Sequence, residues 1–381
     1  MKSKEKYIIA SALLSPPDNS GAGERICNYL LHFTRIYNIK TLLATSSDFT
    51  SSEISKQQYL KFSSSRIFNL FIWFPLSLLK SLKLVYRYPK ASFLLSSAKC
   101  PISVCIALAC IFYNRKYIIG TTLYHEDDED TLRESILSPL YKLILAKSDT
   151  FILQTPLFLT SNLKSVAPNP LVVPNGIPLP RSNNLPFEIS KTDLRKNLYL
   201  NDRITLLQIG RVSKRKNTLE TLHLIKHLVN SGHDLSLIIL GPFDPINCHY
   251  CSRCQKYVDM NNLSSFVFFN GYVESPTVYY QMADIYLSSS LNEGLPNALL
   301  EAMSFSLPVV HRELLVTSEY ILGSKLVDEL CYKTIKSANN IISELIVNKS
   351  LRIMLGKECY KRMQKFDIDN IMQIYSNILL K

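Results

Sequence analysis

Two carboxylates, Glu293 and Glu301, bracket the start of a helical pattern in Asn292-Glu-Gly-Leu-Pro-Asn-Ala-Leu-Leu-Glu-Ala-Met303. A strand-like run ends in Ser288-Ser-Ser290, a Gly–Pro turn follows, and Pro296 suits a first helical position, where its missing N–H wastes no hydrogen bond. The amides of Gly294 and Leu295 then lie at the positive end of the helix dipole, where an anion or a sugar hydroxyl can bind. Carboxylates on either side of such a terminus can accept hydrogen bonds from ligand hydroxyls. An ordinary helix, with Glu293 as an N-terminal charge and Glu301 solvated, fits the spacing equally well.

A second set of residues lies in Gly210-Arg-Val-Ser-Lys-Arg-Lys216, at the end of another strand-like run. Arg211 and Lys216, around a strand-to-helix turn, can converge on a diphosphate, one as a fork and the other as a point charge. Lys214 and Arg215 read as solvated loop charges, and Asn217 as a helix N-cap. In the first half, Ser20-Gly-Ala-Gly-Glu-Arg-Ile26 follows a strand and opens a helix. Gly21 and Gly23 allow close backbone approach, but Ile26 occupies the third glycine position of a dinucleotide fingerprint. His125 ends the strand-like stretch 115–124, ahead of an acidic run, Glu126-Asp-Asp-Glu-Asp130, that reads as a solvated loop. Cys248-His-Tyr-Cys-Ser-Arg-Cys254 has ligand-like density but lacks the second, distant pair that a zinc site wants, so no metal is assigned.

The elements that must position these residues alternate along the chain. Strands are expected at 6–14, 40–44, 115–121, 150–154 and 171–173, and again at 204–209, 235–240, 266–269, 284–288 and 308–310. Helices are expected at 24–36, 132–147, 218–230 and 296–303, and helical patterns dominate from 337 onward. This is an α/β pattern of two Rossmann-like domains facing a cleft, with C-terminal helices. The expected boundaries are 1–180 for the first domain, 181–200 for a Pro- and Asn-containing linker, 201–365 for the second, and 366–381 for a helix packing back on the first.

Composition narrows the classes. The 381 residues suit two domains, and 47% hydrophobic with 19% charged residues argues against disorder. Nine scattered cysteines in so large a chain read as reduced thiols. The basic start followed by 7–14 imitates a signal peptide but lacks a cleavage site, and a first strand fits better. The apolar runs 67–79 and 100–114 fall short of the ~18–20 residues that span a bilayer. The aromatic, basic-flanked stretch 66–88 fits either a buried helix pair or a membrane interface with Lys80, Lys83 and Arg87 over anionic headgroups. A net charge of +12 invites nucleic acid, an anionic membrane surface or phosphorylated small molecules. Nucleic acid is disfavoured, because the basic cluster lacks the interleaved aromatics that base stacking needs.

Taken together, the Glu293-x7-Glu301 stretch, Pro308-Val-Val310, Gly271-Tyr-Val273, Tyr279-Tyr-Gln-Met-Ala-Asp-Ile-Tyr286 and the Arg211/Lys216 loop resemble the retaining nucleotide-sugar glycosyltransferase family with the GT-B fold. Pro174-Asn-Gly-Ile177 resembles the family's close of the first domain. The resemblance implies a nucleotide-diphosphate-sugar donor held mainly by the second domain, with the first on the acceptor side. Arg211 and Lys216 would hold the diphosphate, and Glu301 the ribose. Glu293 with the Gly294 and Leu295 amides would orient the sugar. His125 would meet the sugar from the opposite domain, and the loop of Gly23 would close on sugar and phosphate. Glu293, His125, Arg211 and Lys216 are thus the catalytic candidates, with no metal or cofactor required. The expected reaction is a hexosyl or N-acetylhexosaminyl transfer, and a composition rich in Lys, Ile, Asn and Ser with a membrane-friendly first domain points to a glycan or lipid-linked acceptor of bacterial surface polysaccharide. The implied place is the cytoplasm, with peripheral contact on the inner membrane face. A degenerate GT-B protein that binds nucleotide or scaffolds a glycan-assembly complex is the alternative. Three stretches depart from the family pattern: Asn217 stands for a glycine, Ser304-Phe-Ser306 for a small residue–Cys–Gly stretch, and His311-Arg-Glu-Leu-Leu315 for a glycine-rich turn.

Overall fold

The computed structural model describes residues 5–12, 21–48, 50–61, 68–97, 100–120, 131–156, 169–180, 195–196, 200, 203–245 and 248–380. The chain divides into two compact units, Met1–Gly176 with Asp369–Lys381, and Ile177–Ile368.

The first unit is built on seven parallel strands, β1 (Tyr7–Ser11), β2 (Lys40–Thr45), β3 (Ser55–Gln58), β4 (Ser92–Leu95), β5 (Tyr117–Gly120), β6 (Thr150–Leu153) and β7 (Pro170–Val172). Their order is β3-β2-β1-β4-β5-β6-β7. Central strands of such a sheet are covered on both faces, and β1 and β4 accordingly read as short apolar runs. Neither β3 nor β4 is among the strands expected from sequence. β3 is a polar edge strand, Ser-Lys-Gln-Gln, and β4 is four residues long between Pro89 and two serines. The helix Pro101–Phe112 is apolar on every side because it is buried along almost all its length. Phe74–Arg87, continuing a π-helical turn at Asn69–Trp73, is a second helix of this unit. The C-terminal helix Ile368–Leu379 returns to this unit: Tyr375 lies 5.1 Å from Tyr29, and Ser92 Oγ donates to the Leu379 carbonyl.

Six parallel strands form the second unit: β8 (Ile204–Ile209), β9 (Leu235–Leu240), β10 (Val267–Phe269), β11 (Ile285–Ser288), β12 (Val309–Arg312) and β13 (Cys331–Tyr332). Their order, β10-β9-β8-β11-β12-β13, repeats that of the first six strands of the other sheet. Both are doubly wound, Rossmann-like sheets, and in each the winding reverses at one place, between β1 and β4 or between β8 and β11. Loops leaving the carboxyl ends of those two strands diverge and leave a crevice, which is where ligands bind in open α/β sheets.

The unit boundaries fall at 176/177 and 368/369 rather than at 180 and 365. Composition suggested a linker at 181–200, yet its later residues belong to the second unit. Arg195 donates Nε to the Met282 carbonyl at 3.1 Å and pairs with Asp284, and Leu200 is buried in that unit's core. Residues 181–194 lie outside the described set. Among the described residues, no helix is long and apolar enough to cross a membrane.

One contact fixes the depth of the Asn297–Ser304 helix. A Cβ on Gly356, in the Lys349–Met363 helix, would lie 2.1 Å from the Ser306 carbonyl oxygen. Backbone meets backbone there, so nothing can swing aside. Gly356→Ala is expected to destabilise the protein by about 1–3 kcal/mol, measured by urea unfolding, with an unchanged far-ultraviolet spectrum.

Candidate functional site

The carboxyl end of β8 is shaped by two glycines. Gly210 has φ +141°, and a Cβ there would sit 2.8 Å from Lys216 Cε. Gly241, at the end of β9 with φ +137°, would place a Cβ 2.3 Å from the Gly210 carbonyl oxygen. The chain can therefore turn tightly after β8 while the Lys216 side chain folds back over Gly210. Ser213 Oγ accepts from the Lys216 amide at 3.3 Å, and Asn217 enters the next helix, Thr218–Asn230, in the left-handed region at φ +50°. Asparagine is among the few non-glycine residues that take up this conformation readily, which explains why it can replace the family's glycine. Its side chain does not cap the helix but donates to Glu220 at 2.9 Å.

Glu293 lies where this turn meets the loop after β11. Its carboxylate accepts from Lys216 Nζ at 2.5 Å on one oxygen and pairs with Arg215 Nη1 at 3.0 Å on the other. The carboxylate is buried, with side-chain exposure of only 8%. Burial pushes its pKa up, but Lys216 and then Arg215 outweigh that and hold it below the ordinary carboxylate value. Arg215 is thus not the solvated loop charge that its sequence neighbourhood suggests. Its Nη1 also reaches the Asn292 carbonyl at 3.2 Å, and its own carbonyl accepts from the Leu291 amide at 2.9 Å. Ser289 Oγ lies 3.0 Å from the carbonyls of both Lys216 and Asn217 and 2.7 Å from Thr221 Oγ1. The two loops on either side of the winding reversal are stitched together by these bonds.

The second carboxylate is held differently. Tyr280, itself buried, donates its hydroxyl to Glu301 Oε2 at 2.8 Å. Phe305 stacks on the Tyr280 ring at 5.3 Å and 13°, so the aromatic residue that departs from the family pattern packs behind Glu301 and fixes its partner. Ser306 has φ +57°, a position where glycine would be at ease. Pro296 is the N-cap rather than the first helical residue, and the helix begins at Asn297. Gly294 and Leu295 are buried just ahead of it, and among the described residues no partner takes either amide.

Arg211 also leaves the end of β8, but its side chain is 53% exposed and its Nη1 lies 3.7 Å from Asp244 Oδ1. Lys216 and Glu293 are therefore in direct contact, with Arg211 on the rim. In place of the family's glycine-rich turn, β12 ends in His311 and Arg312. His311 is buried, its pKa pushed down to about 4 by desolvation, and Arg312 Nη2 lies 2.6 Å from Glu220 Oε2. Cys251 and Cys254 face the core from the Cys248–Met260 helix while Cys248 is exposed, and Cys251 Sγ reaches the Val212 carbonyl at 3.3 Å. In the first unit, Gly23 is buried within the first turn of the Gly21–Tyr37 helix. His125 lies outside the described residues.

Residues 190–362 match the family model "Glycosyl transferases group 1". The match covers just under half of the chain, and over that span the second half is similar to the group 1 glycosyl transferases. An uncharacterized glycosyltransferase of Methanocaldococcus jannaschii is 27% identical over 188 residues, which is 49% of this chain and 45% of that protein. The capsular polysaccharide biosynthesis glycosyltransferase CapM of Staphylococcus aureus is 24% identical over 191 residues, 48% of each chain. The chain thus aligns with just under half the length of these relatives. The whole chain superposes on Anabaena Alr3699/HepE, crystallised with UDP and glucose, with a TM-score of 0.77 at 15% identity and 99% coverage of both chains. That likeness establishes the fold as GT-B.

Removing one of Glu293's cations strands a buried carboxylate. Lys216→Ala is expected to cost about 2–4 kcal/mol in urea unfolding near neutral pH. Because the folded-state pKa of Glu293 is depressed, this contribution is complete above the unfolded carboxylate value of about 4.3. It is lost as pH falls through the lower folded value, so the gap between wild type and variant closes on acidification. A gap of constant size across that range would show that Glu293 is not the partner responsible.

Proposed function

We propose that this chain is a retaining glycosyltransferase that moves a sugar from a nucleotide-diphosphate-sugar to a glycan or lipid-linked acceptor of bacterial surface polysaccharide. The observation that carries the proposal is the Lys216–Glu293–Arg215 cluster beside the Gly294 and Leu295 amides, which have no partner among the described residues, at the winding reversal of the second sheet. Lys216 has one face toward Glu293 and can extend the other to a phosphate; Arg211, at the rim, supplies a fork. As the bond between sugar and diphosphate breaks, negative charge grows on the leaving group, and preorganised cations stabilise that charge without reorganising. Arg215 keeps Glu293 ionised while Lys216 is shared, so the carboxylate stays an acceptor for sugar hydroxyls, with the two amides donating beside it. Glu301, steadied by Tyr280, would accept from the ribose. With the leaving charge met by side chains, the reading calls for no metal and no cofactor.

The family resemblance adds two contacts from the first unit, His125 to the sugar and the loop of Gly23 to sugar and phosphate. The capsular polysaccharide relative supports the acceptor class, and such an acceptor places the enzyme in the cytoplasm at the inner face of the membrane. The transferred group is a hexose or N-acetylhexosamine.

A thermal-shift panel of nucleotide-sugars tests this reading. One donor and its nucleoside diphosphate should each raise the melting temperature, and Lys216→Ala should abolish both shifts. With that donor, Lys216→Ala and Glu293→Ala should each lower turnover by about 10²–10³-fold. A donor that binds but turns over equally in wild type and variants would leave a nucleotide-binding scaffold instead.

A further inference from the structure

The chain's positive charge is concentrated in one stretch. Residues 54–125 contain ten Lys and Arg and no Asp or Glu, so they hold ten of the twelve units of net charge. Within it, the turn Asn69–Trp73 and the helix Phe74–Arg87 form a single amphipathic rod. Its inner stripe, Trp73, Ser77, Ser81, Leu84 and Val85, is buried, with Trp73 Nε1 donating to the Leu60 carbonyl at 2.8 Å and Ser81 Oγ lying 2.8 Å from the Tyr59 hydroxyl. The rod is therefore firmly docked, and its outer stripe is not a face left over from poor packing. That outer stripe is divided along its length. Phe71, Ile72, Leu76 and Leu79 are exposed at the start, Phe71 by 71%. Lys83 and Arg87 are exposed further on, followed by Lys90. Phe112, 73% exposed at the end of the Pro101–Phe112 helix, joins through Tyr113 to Tyr86, with ring separations of 5.0 and 6.1 Å, and the exposed Arg115 and Lys116 come next in the chain.

We infer that this face is a docking surface for an anionic lipid bilayer, with Phe71, Ile72, Leu76 and Leu79 entering the interface and Lys83, Arg87 and Lys90 lying over the headgroups. Apolar side chains on one stretch and cations beside it are what an in-plane helix presents to lipid. Two competing partners each fail on one of these two features. A nucleic acid would use the cations and leave four large apolar side chains in water. A second copy of the chain on a two-fold axis would bring like charges together with no acid in the stretch to offset them. The inference rests on the lipid-linked acceptor reading for its purpose only, since the geometry of the face is independent of the donor site.

Flotation of the full-length protein with vesicles, without donor or acceptor, tests it. Binding should be strong to phosphatidylcholine vesicles in which a third of the lipid is phosphatidylglycerol, and weak to phosphatidylcholine alone. Lys83→Glu and Arg87→Glu should each weaken binding by about fivefold or more. The double variant Phe71→Ser/Leu79→Ser should weaken it by at least about tenfold. Both sites are exposed, so melting temperatures should not move, and the Lys216→Ala protein should float like wild type. Equal binding to neutral and anionic vesicles would overturn the inference, as would equal binding of wild type and variants. Retention on duplex DNA without flotation would overturn it in favour of a polyanion site. Loss of donor turnover with flotation intact would bear on the enzymatic reading alone.

Discussion

A carboxylate taken out of water in the crevice of an α/β sheet is tolerable only with cations held against it. Glu293 imposes that requirement here, and much of the second unit's local structure follows from it. Lys216 can reach Glu293 because its side chain crosses a residue with no side chain of its own, Gly210. Gly210 can be approached from the other side because Gly241 brings the β9 loop against its carbonyl. Arg215 points to the same carboxylate because its carbonyl is tied to Leu291 and its guanidinium to Asn292. A loop that would otherwise be a string of solvated charges is thereby given one conformation. The same pairing keeps the carboxylate ionised, so the interaction that stabilises the loop also prepares the group that a sugar hydroxyl would meet.

The residues that contact one another across the site were legible where a motif names them and invisible where only packing does. Glu293, Glu301 and Lys216 stand out by spacing. Arg215 does not, because a loop has no periodicity to tell an inward side chain from an outward one. Tyr280 and Phe305 lie in a motif and in a departure from one, yet only the fold brings their rings together behind Glu301. The strands show the same division. Long apolar runs such as Ile204–Ile209 and Leu235–Leu240 are recognisable by themselves. β4 is not, because four residues flanked by Pro and Ser look like a loop until β1 and β5 are placed on either side. Helix Pro101–Phe112 is apolar all round, so its periodicity is erased by its own burial.

The departures from the family pattern are absorbed locally. Asn217 accepts the left-handed turn that a glycine would fill, and its freed side chain joins Arg312 and Tyr332 on Glu220. His311 enters the core as a neutral ring, where a glycine-rich turn would have left backbone near the crevice. The floor beneath the site is therefore built from side chains that bond to one another. In the proposed reading, recognition at this edge of the crevice then falls to Lys216, Arg211 and the amides before Asn297.

Seen through its charges, the molecule separates two uses of a cation. In the second unit, Lys216 and Arg215 face Glu293, Arg312 faces Glu220, Arg195 faces Asp284 and Arg211 approaches Asp244. The one-to-one pairs are nearly neutral beyond about 8 Å, the screening distance at physiological salt, and the Lys216–Arg215–Glu293 cluster keeps a single positive charge, so these cations act mainly on a ligand in contact with them. The stretch 54–125 has no acid of its own, and apart from Lys61, which lies 3.3 Å from Asp48, its cations largely sum instead of cancelling. Summed charge acts at a distance, on an extended anionic surface, and gives little geometric selectivity. A net charge of +12 therefore says little about the proposed diphosphate site, which needs a few cations at fixed positions; it bears on the opposite kind of recognition, the one inferred for the other unit.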